Sequence, residues 1–338
     1  VNFPVECNVA AAPLIERGVA LVHHMMYEEA NFVFSMADDA DPDCAMAYWG
    51  QTLTMIHPLW PDVPTDDTLN RGWKLVERAL SLGGHSEREN AYLKTTQAYF
   101  ENGASMTEPQ RLKKVELAWK ELSDANPDDL EARAFYALSL ISTSGNDEVQ
   151  KRKAGLIARE VLAKNPNHPG GHHYVIHSYD TPELAAMAEK TADNYGKMTP
   201  RVPHATHMMT HTYTRLGQWD KAITWNKISA ESAYELCISS GKINSHYMHA
   251  LDYLLYAHLQ KGEDAAAAHV LADVEIIKPP YSELNRTASA YAFSALPARY
   301  ALELHDWNAA AQLIPRAPSS FPWVKEHDPF VANTHFAR

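Results

Sequence analysis

Small and aromatic residues recur in this chain at a period of 34, and that period constrains the fold more tightly than any other feature of the sequence. In residues 11–44, Gly18, Leu21, Ala30, Phe34, Ala37 and Pro42 occupy positions 8, 11, 20, 24, 27 and 32 of a unit. Tyr213, Gly217, Trp219 and Ala222 take positions 11, 15, 17 and 20 of another unit that begins at Pro203. Pro127, Pro166 and Pro200 each end a unit, the last two of them 34 residues apart. Gly262 and Ala267 mark a further unit, and Trp307, Ala310, Ala317 and Pro322 the last. Between these markers, apolar residues are spaced by three and four and broken by Asn-Pro, Asp-Pro and Gly turns, the pattern of amphipathic helices rather than strands. A helical hairpin of this kind is amphipathic on two sides and buries both only against its neighbours. The expected fold is all-α, a solenoid of about eight helical hairpins over residues 1–318 with a C-terminal tail at 319–338. Units near 45–84 and 86–127 carry insertions, including Pro61-Asp62-Val63-Pro64, and Gly83-Gly84 reads as a helix end.

Composition narrows the function classes. Thirty Lys and Arg against 42 Asp and Glu give a net charge of −12, and without a basic stripe such a chain is a poor partner for nucleic acid. No window approaches 18 consecutive apolar residues and the mean hydropathy is −0.37, which excludes a helical membrane span. The three cysteines, Cys7, Cys44 and Cys237, form no CxxC, so neither a zinc ribbon nor a redox dithiol is indicated. Composition alone leaves two readings of them open, a Cys7–Cys44 disulfide or three buried thiols. The chain opens at Val1 without Met and without an apolar leader, as a processed exported protein or a trimmed one would. No HExxH, P-loop or GxSxG is present.

The unusual component is histidine, 18 residues in all. The repeat positions named above resemble the tetratricopeptide (TPR) pattern, a helical hairpin of 34 residues. In that family positions 2, 5, 9, 12 and 13 of the first helix face a concave groove. In that frame His173 and His177 occupy positions 5 and 9 of the unit beginning at Pro169, and His207 and His211 the same positions of the next. His204 and His249 sit at position 2, His23 and His57 at position 13, Asp180 at position 12 and Asp252 at position 5. Residues four apart on a helix stand one above the other. The two His pairs therefore form stripes able to share an ion between neighbouring helices, with His204 and Asp180 as accessory ligands or hydrogen-bond acceptors. Histidine with aspartate suits zinc, copper or iron. Met25, Met26, Met208 and Met209 read as packing residues rather than copper ligands, and Tyr179 and Tyr213 as core.

Four stretches are also similar to a group of bacterial, often exported TPR-like proteins. They are residues 41–50, His57-Pro-Leu-Trp60, His168 to Asp180 and Val202 to Trp219, the last two close to HPGxxHYxIHxxD and PHxxHMPSHIFxRLGxW. The resemblance implies a shared site built from His168, His173, His177, His204, His207 and His211. His172 is extra, and Met209-Thr210 replaces Pro-Ser. It implies too that Cys7 and Cys44 are paired and that the protein is periplasmic or extracellular. The expectation is a TPR-like protein whose histidine-lined groove binds a transition metal, with catalysis open. The alternatives are a groove that clamps a peptide or protein partner, with the histidines as recognition groups or a pH sensor, and a solenoid whose Trp- and Phe-bearing tail joins copies end to end.

Overall fold

The computed structural model describes residues 1–60, 62–82 and 86–338. Pro61 of the first insertion and the Gly83-Gly84 helix end lie outside the described residues. The chain divides into two compact units, Val1–Tyr179 and Asp180–Arg338. Among the described residues the regular structure is all-α, seventeen α-helices with three short 3-10 turns and one isolated β-bridge. The first unit contains α1 (Ala12–His23), α2 (Tyr27–Ala40), α3 (Ala45–Leu53), α4 (Asp66–Leu82), α5 (Glu87–Phe100), α6 (Glu108–Ala125), α7 (Leu130–Ser144), α8 (Glu148–Lys164) and α9 (Pro169–Ser178). The second contains α10 (Glu189–Met198), α11 (Pro203–Arg215), α12 (Trp219–Ser240), α13 (Ser245–Gln260), α14 (Asp264–Glu275), α15 (Arg286–Glu303), α16 (Trp307–Gln312) and α17 (Asp328–Ala337). Helices adjacent in sequence pack on one another from α1 to α9 and from α10 to α16, a TPR-like succession of hairpins.

Local chemistry sets the helix boundaries. Ser86 and Glu89 satisfy each other's backbone N–H groups at the start of α5, a reciprocal cap. Asp129 accepts from the Glu131 and Ala132 amides and so opens α7, and Asn244 accepts from the Tyr247 amide at 2.9 Å to open α13. Pro169 and Pro203 stand in the first turns of α9 and α11, where a missing N–H costs nothing.

The small repeat positions exist because an aromatic ring fills the space above them. Phe34, fully buried, lies between α1 and α3. A Cβ added at Gly18 would stand 2.5 Å from its ring, and one at Gly50 only 2.2 Å. Burying such a ring contributes roughly 1.5–3 kcal/mol. Gly155 on α8 receives the Tyr179 ring in the same way, at 2.3 Å.

The first unit curls so that α9 packs against α1 as well as against α7 and α8. An extended N-terminal strap lies across it. Phe3 is buried, stacked on Trp49 at 5.4 Å and edge-on to Tyr92 at 5.0 Å, with the Arg88 guanidinium 4.6 Å from its ring centre. The Asn2 amide donates to Glu131 at 3.3 Å and the Glu6 amide to Glu89 at 2.7 Å. A Cys7–Cys44 disulfide, Cα–Cα 5.1 Å, ties the strap to the start of α3. In the second unit α11 packs against α12 and α13, and α13 against α15. Residues of the 319–338 segment form α17, which packs back on α15. No helix of the described residues is long and apolar enough to cross a membrane.

Candidate metal centre

Among the described residues, histidine and carboxylate side chains gather inside each unit. In the first unit His23, Glu131 and His168 bring their ligand atoms within 4.8 Å of one another. His23 closes α1, Glu131 lies in the first turn of α7 and His168 is the N-cap of α9. All three are buried. His23 Nε2 is 2.6 Å from Glu131 Oε2, and His168 Nε2 is 3.2 Å from Glu131 Oε1. The Tyr174 hydroxyl is 2.9 Å from His23 Nδ1, and the His23 ring stacks on Phe135 at 4.3 Å.

Hydrogen-bond partners assign the protons here. His168 Nδ1 accepts the Gly171 amide at 3.1 Å and so carries a lone pair, which puts the ring proton of neutral His168 on Nε2, facing Glu131. His23 accepts the Tyr174 hydroxyl at Nδ1 and donates from Nε2 to the same carboxylate. Burial is the largest influence on His23 and lowers its pKa to about 4, against the raising effect of Glu131. Burial also pushes Glu131 up, but hydrogen bonds from His168 and His23 outweigh it and hold the carboxyl well below its ordinary range. The carboxylate accepts the His23 Nε2–H on one oxygen and the Asn2 amide on the other, with His168 Nε2 3.2 Å from the second. A metal ion on His168 Nε2 would require a proton on Nδ1, directed at a backbone N–H. The first cluster is a hydrogen-bonded brace joining α1, α7, α9 and the strap.

The second unit reverses this arrangement. His207 and His211 project from α11 and His249 from α13, with their ligand atoms again within 4.8 Å of one another. Asn226 Nδ2 donates to the Ala222 carbonyl at 3.0 Å, which fixes its Oδ1 toward His207 Nδ1 at 2.8 Å. His207 therefore donates from Nδ1 and carries a lone pair on Nε2. His211 Nδ1 is 2.8 Å from Asp180 Oδ2, and Asp180 also accepts from Arg215 at 2.8 Å. Burial raises Asp180, yet the nearby His211 and the hydrogen bonds from His211 and Arg215 hold it ionised, well below its ordinary range. With both Nδ1–H groups committed, the two Nε2 atoms face each other at 3.0 Å. Two lone pairs at that distance call for a positive charge between or beside them.

The ring spacing suits an ion. Two imidazoles bonded tetrahedrally to one metal at about 2.0–2.1 Å per bond have centroids about 5 Å apart. The His207 and His211 centroids are 4.9 Å apart, and His249 lies 4.2 and 5.8 Å from them. Burial, first of all, together with the neighbouring imidazoles keeps His207 and His249 neutral, the latter lowered to about 3. Neutral imidazole is the form that binds metal. The carboxylate behind His211 and the amide oxygen behind His207 are the outer hydrogen bonds that orient histidine ligands. The Tyr253 hydroxyl is 3.3 Å from His211 Nδ1 and closes the same side.

The residues marked by sequence divide between the units. His173 and His177 stand on α9 with centroids 4.8 Å apart, and His173 Nδ1 is 2.6 Å from the His23 carbonyl. His204 is in the second unit, 6.1 Å from His207 by ring centroid. Among the described residues, His57 is not part of the His23–Glu131–His168 cluster. α3 ends at Leu53, so His57 falls beyond its helix, where Nε2 meets the Thr54 carbonyl at 3.0 Å and Nδ1 faces Asp62 at 3.6 Å. Asp252 is paired with Arg299. Met208, Met209, Tyr179 and Tyr213 are buried in packing. Glu131 escaped the sequence reading, since a lone acid in the first turn of a helix is ordinary dipole complement.

No family model matches the chain, and no curated protein does. Among solved structures, a tetratricopeptide repeat protein from Parabacteroides merdae ATCC 43184 is 14% identical, with a TM-score of 0.47 over 80% of this chain and 93% of that one. The Cut9–Hcn1 APC/C hetero-tetramer matches at 15% identity and TM-score 0.35, over 89% of this chain and 65% of that one. The TPR domain of P58(IPK) matches at 10% identity and TM-score 0.22, over 97% and 98%. Likenesses this low bring no function with them, and the TPR-like character of the chain rests on its own succession of helical hairpins.

Proposed function

We propose that this chain is a TPR-like scaffold whose second unit holds a transition-metal ion through His207, His211 and His249. The observation that carries the reading is the 3.0 Å approach of two imidazole nitrogens whose other ring nitrogens already donate to Asn226 and Asp180. Three imidazole ligands with an open position suit zinc first, then copper or iron. When bound, such an ion supplies Lewis acidity or an activated water. The chain's own contribution is to hold the rings in register, with Asp180 and Asn226 fixing their tautomers and Arg215 keeping Asp180 charged. The Cys7–Cys44 disulfide supports residence in an oxidising compartment, periplasmic or extracellular.

Elemental analysis of protein purified without chelators or affinity metals tests the reading. Near-stoichiometric zinc, copper or iron that disappears in a His207→Ala/His249→Ala variant is the expected result. Absence of metal from the wild type, even after incubation with each ion, would sink it.

A second reading, a scaffold for protein partners or for its own copies, is favoured by exposed apolar pairs one turn apart. Phe32 and Met36 form one on α2, and Tyr234 and Ile238 another on α12. Light scattering of the native protein beside a Tyr234→Ser/Ile238→Ser variant tests self-association; a monomer in both removes that form of the reading.

A further inference from the structure

The N-terminal strap is held as a ligand is held. Residues 1–7 are extended, and their side chains alternate between the body and solvent, with Phe3 buried and positions 2, 4 and 6 exposed. Hydrogen bonds join the strap's main chain to side chains of the body. The Asn2 and Glu6 amides donate to Glu131 and Glu89, and the Pro4 carbonyl accepts from Arg88 at 3.0 Å. The seat runs along one edge of the first unit, over the N-terminal ends of α3, α5 and α7, where Cys44, Glu89 and Glu131 stand.

Each group of the seat has a second partner in the body. Glu131 Oε2 meets His23 Nε2 at 2.6 Å, Glu89 Oε2 accepts the Ser86 amide at 3.4 Å, and Arg88 donates from Nε to Asp129 at 2.8 Å. Trp49 and Tyr92, which flank the Phe3 ring, stand edge to face at 5.4 Å. Trp49 Nε1 donates to Thr95 at 3.3 Å, and the Tyr92 hydroxyl to Asp129 at 2.9 Å. The groups that grip the strap are thus oriented by contacts the strap does not supply, which makes the seat preorganised for an extended chain.

We infer that this seat is a recognition site for an extended peptide, occupied here by residues 1–7 and latched by the Cys7–Cys44 disulfide. The partner it fits carries an aromatic side chain, with a backbone amide one residue before the ring and another three residues after it. Main-chain hydrogen bonds give such a contact affinity and the ring pocket gives it specificity. The Arg88 guanidinium over the ring favours an aromatic side chain over an aliphatic one. The latch opens by thiol–disulfide exchange. Cys44 is buried and Cys7 half-buried, so a thiolate of a dithiol reductant attacks the Cys7 sulfur. The S–S bond breaks, and Cys44 leaves as a thiolate and takes a proton. The second thiol of the reductant then displaces Cys7, leaving two protein thiols and one disulfide on the reductant. This inference is independent of the metal reading.

The probe is a synthetic peptide of residues 1–7 with serine in place of Cys7 and a fluorophore at its C-terminus. It is titrated with full-length protein and read by fluorescence anisotropy, with circular dichroism as the control for folding. Saturable binding to Phe3→Ala/Cys7→Ser and none to the oxidised wild type is the expected outcome. A peptide with alanine for its phenylalanine should bind about tenfold more weakly, or worse. Cys7→Ser alone should bind less tightly than the double variant, because its tethered strap competes at high effective concentration. Wild type treated with dithiothreitol should match Cys7→Ser; if it stays closed, the exchange step is overturned. Equal binding of the two peptides, binding to the oxidised wild type, or no binding to a folded Phe3→Ala/Cys7→Ser overturns the recognition site. Loss of the fold in that variant overturns it too, because the strap would then be part of the core and not a displaceable ligand.

Discussion

The two units each bury a cluster of imidazoles beside a carboxylate, and the clusters differ in where the protons point. In the first, Glu131 sits in the middle, taking the His23 Nε2–H and standing 3.2 Å from His168 Nε2. In the second, Asp180 and Asn226 sit on the outside and draw the Nδ1–H groups away, which leaves lone pairs facing each other at 3.0 Å. Both draw on imidazoles and a carboxylate, and in each three ligand atoms lie within 4.8 Å of one another. The position of the acceptor relative to the rings decides whether a group of histidines braces helices together or turns lone pairs toward one another. Proximity of potential ligands is thus weak evidence until the tautomers have been worked out.

Replacing the central carboxylate gives the largest expected effect. Glu131→Gln keeps the shape but turns an amide N–H₂ toward one of two ring donors. Losing a buried hydrogen bond to a carboxylate in this way costs about 3 kcal/mol, to be read as a lowered urea midpoint with metal content unchanged. Equal losses of stability and metal would erase the distinction between the clusters.

Acid probes the same brace. His23 has a folded pKa of about 4, below the value of 6.5 expected when unfolded, so the unfolded chain binds the proton first. Stability from this group is complete above about pH 6.5 and is lost as pH falls toward 4, by about 3 kcal/mol in all. Glu131, also depressed, adds a loss of the same sign below the ordinary carboxylate range. Chemical denaturation between pH 7 and 4 should show this slope in metal-free protein and should show it flattened in His23→Phe. An unchanged slope in that variant would assign the acid sensitivity elsewhere.

In the second unit, His249→Ala should weaken zinc binding by roughly 100-fold or more, beyond the range set by outer-residue changes. Asp180→Asn should weaken it by about 10–100-fold, since the amide still accepts from His211 Nδ1 but no longer supplies charge. Competition with a zinc-sensitive dye measures both. If Asp180→Asn matched wild type while Glu131→Gln lost zinc, the roles of the clusters would have been exchanged. The smallest effect is in Tyr174→Phe, which removes the hydroxyl donated to His23 Nδ1 and should cost about 1 kcal/mol with no change in zinc.

The 34-residue register carried the hairpin succession and the His207/His211 stripe, because helix–helix packing repeats the same small-on-aromatic contacts that Phe34 makes with Gly18 and Gly50. It could not deliver the partner stripe. α12 runs for 22 residues, Trp219–Ser240, so the helix that meets α11 follows at an offset of 42 rather than 34. His249 consequently looked like one more groove histidine rather than the third member of a cluster. His57 shows the converse. It keeps His23's repeat position, but the nine-residue α3 ends before it and sends its ring to Thr54 and Asp62. Glu131 was hidden for a different reason, since its partners come from α1 and α9, and only the curl of the first unit brings those helices together.

The N-terminal strap meets the buried carboxylates through peptide amides, not through side chains. Asn2 and Glu6 lend only their backbone N–H groups, to Glu131 and Glu89, while their side chains are exposed. Positions 2 and 6 are consequently open to mutational drift toward any residue that keeps an amide hydrogen, and closed to proline alone. The buried Phe3 between them is the one letter of the strap that packing spells out.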